Sequence, residues 1–414
     1  MNKLFNNTRN YTRNNTTYLM LFILLIVPVF ISQSLASKYG IQSVLMIVYF
    51  SSFSLLLLTL FYSFKLRKKH FFIIAAMFSM LVVLFCIDFS DGFISYKGYK
   101  VILLLFSLLI LHNLSNYFST ERLCASIFFI FLIYIVVSFL SHLLGNTNIV
   151  NVGSLYIRYD LTGSVTAHAV LCSLYIMFSS AYYLKFKSNV KRLALVASSF
   201  VSLYMIFLTG NRQSLIILIL FGFILAYQQT KQINKSLFYF SIFITLFMIF
   251  FILFTLYVDS NMYYRVFNLN SDDVMSGRGV SVLFWLDKSS TIFGGLGLGY
   301  IAQYGELYGG ILETYENFPH NEYIRFYIEG GILGLVFIVT LLFVFFKLCF
   351  EIIKNDENNL RAIYVSAFFS VVFIMSIFDN LFFDMYKSNF YYLSVILFWS
   401  LYRKELVQSG ISKT

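Results

Sequence analysis

Two arginines lie where this chain could bind an anion. Arg212 closes the run Thr-Gly-Asn-Arg and stands one residue before an apolar segment. A guanidinium at such a boundary either snorkels as a topology anchor or meets an anion, for which its planar fork of donors is suited. Arg278, between two glycines in a polar stretch, is a second candidate anion ligand; the alternative is an ordinary solvated loop arginine.

His320 is the candidate acid–base group. It lies in Phe-Pro-His-Asn-Glu-Tyr, shortly before an apolar run that opens at Gly331. At a water-exposed membrane boundary a histidine can act as a general base or a charge-stabilising donor; a hydrogen-bonded structural histidine is the alternative. A helix from about His320 predicts two stripes, one with Tyr323 and Tyr327 and one with Glu322, Arg325 and Glu329. Asn321, Glu322 and Arg325 are secondary candidates.

Other groups that could carry chemistry favour structural roles. His168 and most other histidines lie in or beside apolar faces, and the four cysteines show no metal-ligand spacing. We expect no metal site, no disulfide framework and no cofactor. The run Gly-Gly-Leu-Gly-Leu-Gly at 294–299 lacks the βαβ setting of a dinucleotide site, so it predicts a turn or a close backbone approach.

The composition indicates a membrane protein. The chain is 59% hydrophobic and only 12% charged, whereas soluble domains average about a quarter charged residues. Its net charge of +11 comes from basic clusters in short loops, which is the pattern that orients membrane spans. We therefore expect no nucleic-acid partner, and we interpret residues 1–414 as one polytopic transmembrane domain.

The hydropathy pattern predicts an all-α fold of about 12 transmembrane helices. A bilayer core needs about 20 apolar residues per helix. The candidate spans are 18–36, 41–64, 71–88, 101–115, 123–144, 164–185, 193–210, 213–228, 236–257, 331–350, 362–378 and 390–402. Between the ninth and tenth lies one large polar loop, 258–330, which we expect to carry much of the active site because loops of this length are usually functional.

The distribution of charge predicts the orientation. If both termini are cytoplasmic, the inner loops and tails hold 20 of the 30 basic residues and 5 of the 19 acidic ones. This asymmetry follows the positive-inside rule and makes the large loop extracytoplasmic. No phosphate-binding glycine motif occurs in an inner loop, so energy for a reaction must arrive in an already activated substrate, for example a lipid-linked sugar diphosphate.

Three sequence blocks resemble the O-antigen polymerase and ligase superfamily. The run Thr209 to Arg212 resembles its Ser-Arg signature, with Asn211 standing where serine is common. Arg278, Trp285 and the glycine run 294–299 resemble the block that opens its large periplasmic loop. His320-Asn321, nine residues and then Gly-Ile-Leu-Gly fit the pattern that closes that loop. The match covers about 193–350 directly.

The resemblance implies a fold and a reaction. It implies a glycosyltransferase-C-like, metal-independent enzyme of the bacterial cytoplasmic (inner) membrane that takes glycan from an undecaprenyl diphosphate carrier and joins it to an acceptor hydroxyl. In that family the equivalents of Arg212 and Arg278 bind the diphosphate, and the equivalent of His320 is essential. Membrane lipids, a flippase and a chain-length regulator are the implied partners.

The motifs leave the acceptor open. We expect a polymerase that builds O-antigen, capsular or exopolysaccharide from lipid-linked repeat units. An O-antigen ligase, which passes the glycan to a terminal acceptor such as lipid A-core, is the alternative. A transporter of lipid-linked glycan is a third possibility, but it would place ionisable groups along a mid-membrane path, where this sequence has almost none.

Overall fold

The structure describes about half of the chain. The computed structural model covers residues 119–144, 148–151, 157–160, 165–209, 211–231, 283–287, 295–297, 300–301, 321–356, 359–379 and 385–408. The predicted spans 18–36, 41–64, 71–88, 101–115 and 236–257 lie outside these residues, and so do Arg278 and His320.

Every predicted span within the described residues is helical. Long apolar segments form helices because a helix satisfies its own backbone hydrogen bonds in a medium without water. The helices are α1 (Thr120–Leu143), α2 (Val165–Lys185), α3 (Asn189–Thr209), α4 (Arg212–Lys231), α5 (Glu322–Asn355), α6 (Asn359–Phe378) and α7 (Met385–Gln408). Five of them, α1, α2, α3, α5 and α6, are long and apolar enough to cross a bilayer. The chain is a multi-pass helical membrane protein.

A small β-hairpin interrupts the connection between α1 and α2. Strands β1 (Asn148–Asn151) and β2 (Ile157–Asp160) pair antiparallel, with Asn148 opposite Asp160. Strand β2 contacts both α2 and α3. The all-α expectation therefore describes the helical framework but not this connection.

Helices α2 and α6 form the centre of the bundle. Helix α2 contacts α1, α3, α4 and α6, and α6 contacts α1, α2, α4, α5 and α7. Most of the residues of α2 and α6 are buried, whereas the surrounding helices carry exposed apolar side chains such as Phe129, Phe223 and Phe343. An apolar outer surface around a packed interior is what a bilayer requires.

Aromatic and hydroxyl groups link the central helices. The rings of Phe178 on α2 and Tyr364 on α6 stack with centroids 4.2 Å apart. The Tyr364 hydroxyl donates to the Cys124 carbonyl of α1 over 2.8 Å. Three helices thus meet at one fully buried point.

Charged groups gather at the end of the bundle where α1 and α6 begin. The Arg361 guanidinium donates to Asp356 at 2.8 Å, to Glu405 at 2.9 Å and to the Thr120 hydroxyl at 3.3 Å. Lys185 pairs with Glu121 at 2.9 Å nearby. We call Arg361, Asp356, Glu405 and Thr120 the Arg361 cluster; it joins the start of α1 and α6 to the ends of α5 and α7.

Candidate functional site

The starts of α4 and α5 meet at the opposite end of the bundle, beside the last turn of α6. The Gln213 side-chain amide donates to the Phe378 carbonyl over 2.7 Å. The Asn321 side-chain amide donates to the neighbouring carbonyl of Ile377 over 3.0 Å. Two blocks that are about 110 positions apart in the sequence are therefore bound to adjacent peptide units.

Helix α4 begins at Arg212 after a very short connection from α3. Asn211 caps it, because its side-chain oxygen accepts from the Ser214 backbone N–H over 3.1 Å. The Thr209 hydroxyl in turn accepts from the Asn211 N–H over 3.2 Å. An asparagine suits this cap, as a serine would. The Arg212 side chain lies outside the described part of the structure.

Asn321 caps α5 with the same side chain that binds α6. Its extended backbone, with φ −152° and ψ 119°, is typical of an N-cap. The side-chain oxygen accepts from the Ile324 N–H over 3.1 Å, while the amide nitrogen binds Ile377. Asn321 was a secondary candidate for the chemistry; the structure places it as the link between α5 and α6.

Helix α5 bends sharply at Gly331. That residue has φ 60° and ψ −153°, a conformation that is essentially restricted to glycine. The bend separates a short arm, residues 322–330, from a membrane arm, residues 332–355. The predicted span was expected to open at Gly331, and the bend is at that residue.

Gly334 allows the two arms to fold against each other. A β-carbon on Gly334 would lie 2.0 Å from the Phe326 carbonyl oxygen. Residues eight apart in a continuous helix are separated by about 12 Å along the axis, so this approach requires a fold-back. The rings of Phe326 and Phe337 pack across it with centroids 5.8 Å apart. Of the two glycines in the Gly-Ile-Leu-Gly motif, Gly331 is thus required for the bend and Gly334 for the close approach of the two arms.

Residues 295–297 of the glycine run dock on the end of the short arm. The N–H groups of Leu296 and Gly297 donate to the carbonyls of Ile328 and Glu329 over 2.9 and 2.8 Å. The bend at Gly331 leaves those carbonyls without their usual donors four residues on. A β-carbon on Gly295 would lie 2.1 Å from the Glu329 carbonyl oxygen. The expected close backbone approach is present here.

A small apolar core holds the same loop to the arm. Trp285, in the helical turn 283–287, is fully buried with Ile301 and Ile328. The Trp285 and Tyr300 rings meet edge-on, 6.3 Å apart between centroids. The block that contains Trp285 and the glycine run therefore packs on the block that begins with Asn321.

The predicted charged stripe of the short arm faces inward. Glu322, Arg325 and Glu329 are almost completely buried. The guanidinium of Arg325 lies 3.5 Å from a carboxylate oxygen of Glu322 and 3.5 Å from one of Glu329. A buried charge needs such partners to offset desolvation. Glu322 and Arg325, both secondary candidates, thus pair with each other inside the arm.

The interior histidine is hydrogen-bonded within the core. His168 on α2 is fully buried; its Nδ1 pairs with the Tyr134 hydroxyl, and its Nε2 lies 3.4 Å from the Ser138 hydroxyl. Both partners belong to α1. This is the core role that its apolar surroundings predicted.

Gln213 is a residue of this candidate site that the sequence interpretation missed. Nothing in its type distinguishes it from other polar residues near helix starts. Its position directly after Arg212 was the available signal, but the partner carbonyl lies on α6, far away in the sequence.

Comparison with known families and with curated proteins gives no match for this chain.

Proposed function

We propose that this protein polymerises oligosaccharide repeat units carried on undecaprenyl diphosphate, at the outer face of the bacterial cytoplasmic membrane. The product would be O-antigen, capsular or exopolysaccharide. The proposal includes about 12 spans, two cytoplasmic termini and an extracytoplasmic site formed by the start of α4, the start of α5 and the large loop.

The observation that carries the proposal is the convergence of α4 and α5 on the end of α6. Gln213 and Asn321 bind adjacent carbonyls. Consecutive Cα atoms are about 3.8 Å apart, so we propose that Arg212 and His320, the covalent neighbours of those two residues, act at the same end of the bundle. One carrier head group could then meet both side chains.

The charge on the leaving group explains the need for arginines. Transfer breaks the bond between the anomeric carbon and the diphosphate oxygen, and that carbon forms a new bond to the acceptor hydroxyl oxygen. Undecaprenyl diphosphate leaves with the bonding electrons. Arg212 and Arg278 would stabilise the charge that develops on it, and the sugar–diphosphate bond itself supplies the energy.

His320 would handle the proton of the acceptor. The attacking hydroxyl loses its proton as the new glycosidic bond forms, and a positioned imidazole can accept that proton near neutral pH. In the polymerase the acceptor is a sugar hydroxyl of another lipid-linked repeat unit, so both substrates approach from the outer leaflet.

The decisive experiment is transfer by purified protein in vesicles supplied with undecaprenyl diphosphate-linked oligosaccharide and no nucleotide. We expect wild-type protein to lengthen the lipid-linked glycan. Arg212→Ala and His320→Ala should each reduce the rate by at least about 100-fold, since loss of one charge-stabilising donor or of the general base has effects of that order. Arg122→Ala and His142→Ala, at the exposed start of α1 and near its other end, are the matched controls.

Each outcome bears on the assignment. Normal polymer from Arg212→Ala or His320→Ala at matched protein level removes that residue from the mechanism. In cells, a null mutant that carries a single repeat unit on the acceptor indicates a lost polymerase. Long lipid-linked chains that stay unattached would indicate the ligase instead, and movement of unextended glycan across the membrane would indicate a transporter.

A further inference from the structure

We infer that the carboxyl end of α6 is the common support that sets the start of α4, which begins at Arg212, relative to the start of α5, which Asn321 caps. Gln213 and Asn321 would be the positioning residues. This inference rests on the proposed function and deepens it, since it names two residues that act through the groups beside them.

A pair of hydrogen bonds at the end of α6 connects it to α4 and α5. The last four carbonyls of a helix have no donor within that helix, and two of those in α6 accept from side chains of two other helices. Gln213 and Asn321 donate to consecutive residues, Phe378 and Ile377. The two amides are therefore bound to neighbouring carbonyls of one helix end.

The Asn321 side chain has a double role. Its oxygen caps α5 through Ile324, and its nitrogen binds Ile377. The amide group is planar, so the direction of the first turn of α5 and the distance to α6 are set together. His320 directly precedes this residue in the chain.

Arg212, the residue before Gln213, is held by contacts of both of its neighbours in the sequence. Asn211 caps α4 through the Ser214 N–H, and Gln213 is bound to Phe378. Arg212 lies between these two contacts. Its backbone position is thus determined by the cap of α4 and by the end of α6.

Helix α6 and the short arm of α5, which carry these contacts, are themselves held in place. Helix α6 is a buried central helix that contacts five others. The short arm of α5 is also held by the glycine run at Ile328 and Glu329 and by its own buried ion pairs. The packed body of α6 holds its carboxyl end in place, while Phe378 itself is exposed at that end.

The consequence for the reaction is geometric. Displacement of a catalytic group by about 1 Å can cost on the order of 100-fold in rate. Asn321→Asp keeps the oxygen that caps α5 but, when ionised, lacks the donor to Ile377. Gln213→Glu likewise removes the donor to Phe378. We expect each variant to lose about 10- to 100-fold in single-turnover rate per bound substrate while its affinity for the carrier stays the same.

Gln228→Glu is the matched control. Gln228 also lies on α4, and its amide donates to the Ser366 hydroxyl of α6 over 3.0 Å. The same change of amide to carboxylate removes this amide donor between the same two helices, away from the α6 end, and the Ser366 hydroxyl can donate to the new carboxylate instead. We expect a rate within about threefold of wild type, since this contact does not hold Arg212.

A distance measurement tests the support without depending on activity. Spin labels at Arg212→Cys and His320→Cys, in full-length protein whose native cysteines are replaced by alanine, report the separation of the two positions. We expect one narrow distribution, which Asn321→Asp and Gln213→Glu broaden and Gln228→Glu leaves unchanged. Only monodisperse protein is measured. If one of the two variants fails to fold, the other still tests the inference.

The pH dependence supplies a second test. A protonated aspartate at position 321 regains an O–H donor for Ile377. The rate of Asn321→Asp, divided by the wild-type rate at the same pH, should therefore be higher at low pH, where the carboxyl is protonated, than at high pH, where it is ionised. The ratio for Gln228→Glu should stay flat.

The outcomes separate this inference from the proposed function. Unchanged distance distributions in both variants overturn the inference, whatever the rates are. Broadened distributions together with reduced single-turnover rates support it. If the variants broaden the distributions but the wild-type protein transfers no glycan, the positioning role of α6 is supported and the polymerase assignment is overturned.

Discussion

At the scale of single residues, burial distinguishes charges that hold the fold from charges that can meet a substrate. The sequence placed Glu322, Arg325 and Glu329 on one helical stripe, and the structure pairs them inside the arm. Helical periodicity gives the stripe, but it does not say which stripe faces inward. That depends on the fold-back at Gly331 and on contacts from segments far away in the sequence, such as Trp285.

Removal of the buried guanidinium should destabilise the protein strongly. Arg325→Ala leaves two carboxylates in the arm, and loss of one partner from a buried pair costs about 3–5 kcal/mol. The matched control is Arg403→Ala, because Arg403 is half-exposed and lies 3.4 Å from Glu351; exposed pairs contribute up to about 1 kcal/mol. Unfolding midpoints in mixed micelles measure both, and equal losses would show that the Arg325 charge is not buried in the membrane-embedded protein.

At the scale of elements, and within the part of the chain that the structure describes, the sequence predicted apolar spans well and connections poorly. The predicted spans 164–185 and 362–378 differ from α2 and α6 by at most three residues at either end. By contrast, the strands Asn148–Asn151 and Ile157–Asp160 are too short to show an alternating pattern. The last predicted span, 390–402, is shorter than α7 because polar residues end an apolar run without ending a helix.

The docking of the glycine run depends on one close contact. Gly295→Ala would place a β-carbon 2.1 Å from the Glu329 carbonyl oxygen, so the run must move away and expose two carbonyls of the short arm. We expect faster hydrogen exchange at Leu296 and Gly297 and a loss of glycan transfer.

Gly222→Ala provides the control for that substitution. Gly222 lies within α4, and an added β-carbon there meets nothing within 4 Å. Alanine should even favour the helix by up to about 1 kcal/mol. Wild-type exchange and transfer in Gly295→Ala would contradict the docking that the structure describes.

At the scale of the whole molecule, the alternation of helix ends determines which segments share a side. The Arg361 cluster joins the starts of α1 and α6 to the ends of α5 and α7, while Gln213 and Asn321 join the starts of α4 and α5 to the end of α6. The relative sidedness needed for one shared site follows from these contacts. The absolute direction comes from the positive-inside pattern alone.

Cysteine labelling tests that direction. Leu144 at the end of α1 and Ser188 between α2 and α3 are both exposed. If the termini are cytoplasmic, a membrane-impermeant maleimide should label Leu144→Cys in cells with an intact cytoplasmic membrane. Ser188→Cys should react only after that membrane is permeabilised. The reverse pattern would put the proposed site in the cytoplasm, away from its substrate.

The bend at Gly331 also settles how a helix of 34 residues fits a lipid bilayer. Unbent, it would be about 51 Å long, far more than the roughly 30 Å of hydrocarbon. The membrane arm alone is about 36 Å, a length that a tilt of about 34° accommodates, within the range that membrane helices adopt. The membrane arm therefore accommodates the hydrophobic mismatch. Lipids of different acyl-chain length should change the tilt of this arm, while Asn321 stays at the same depth in the membrane beside α6.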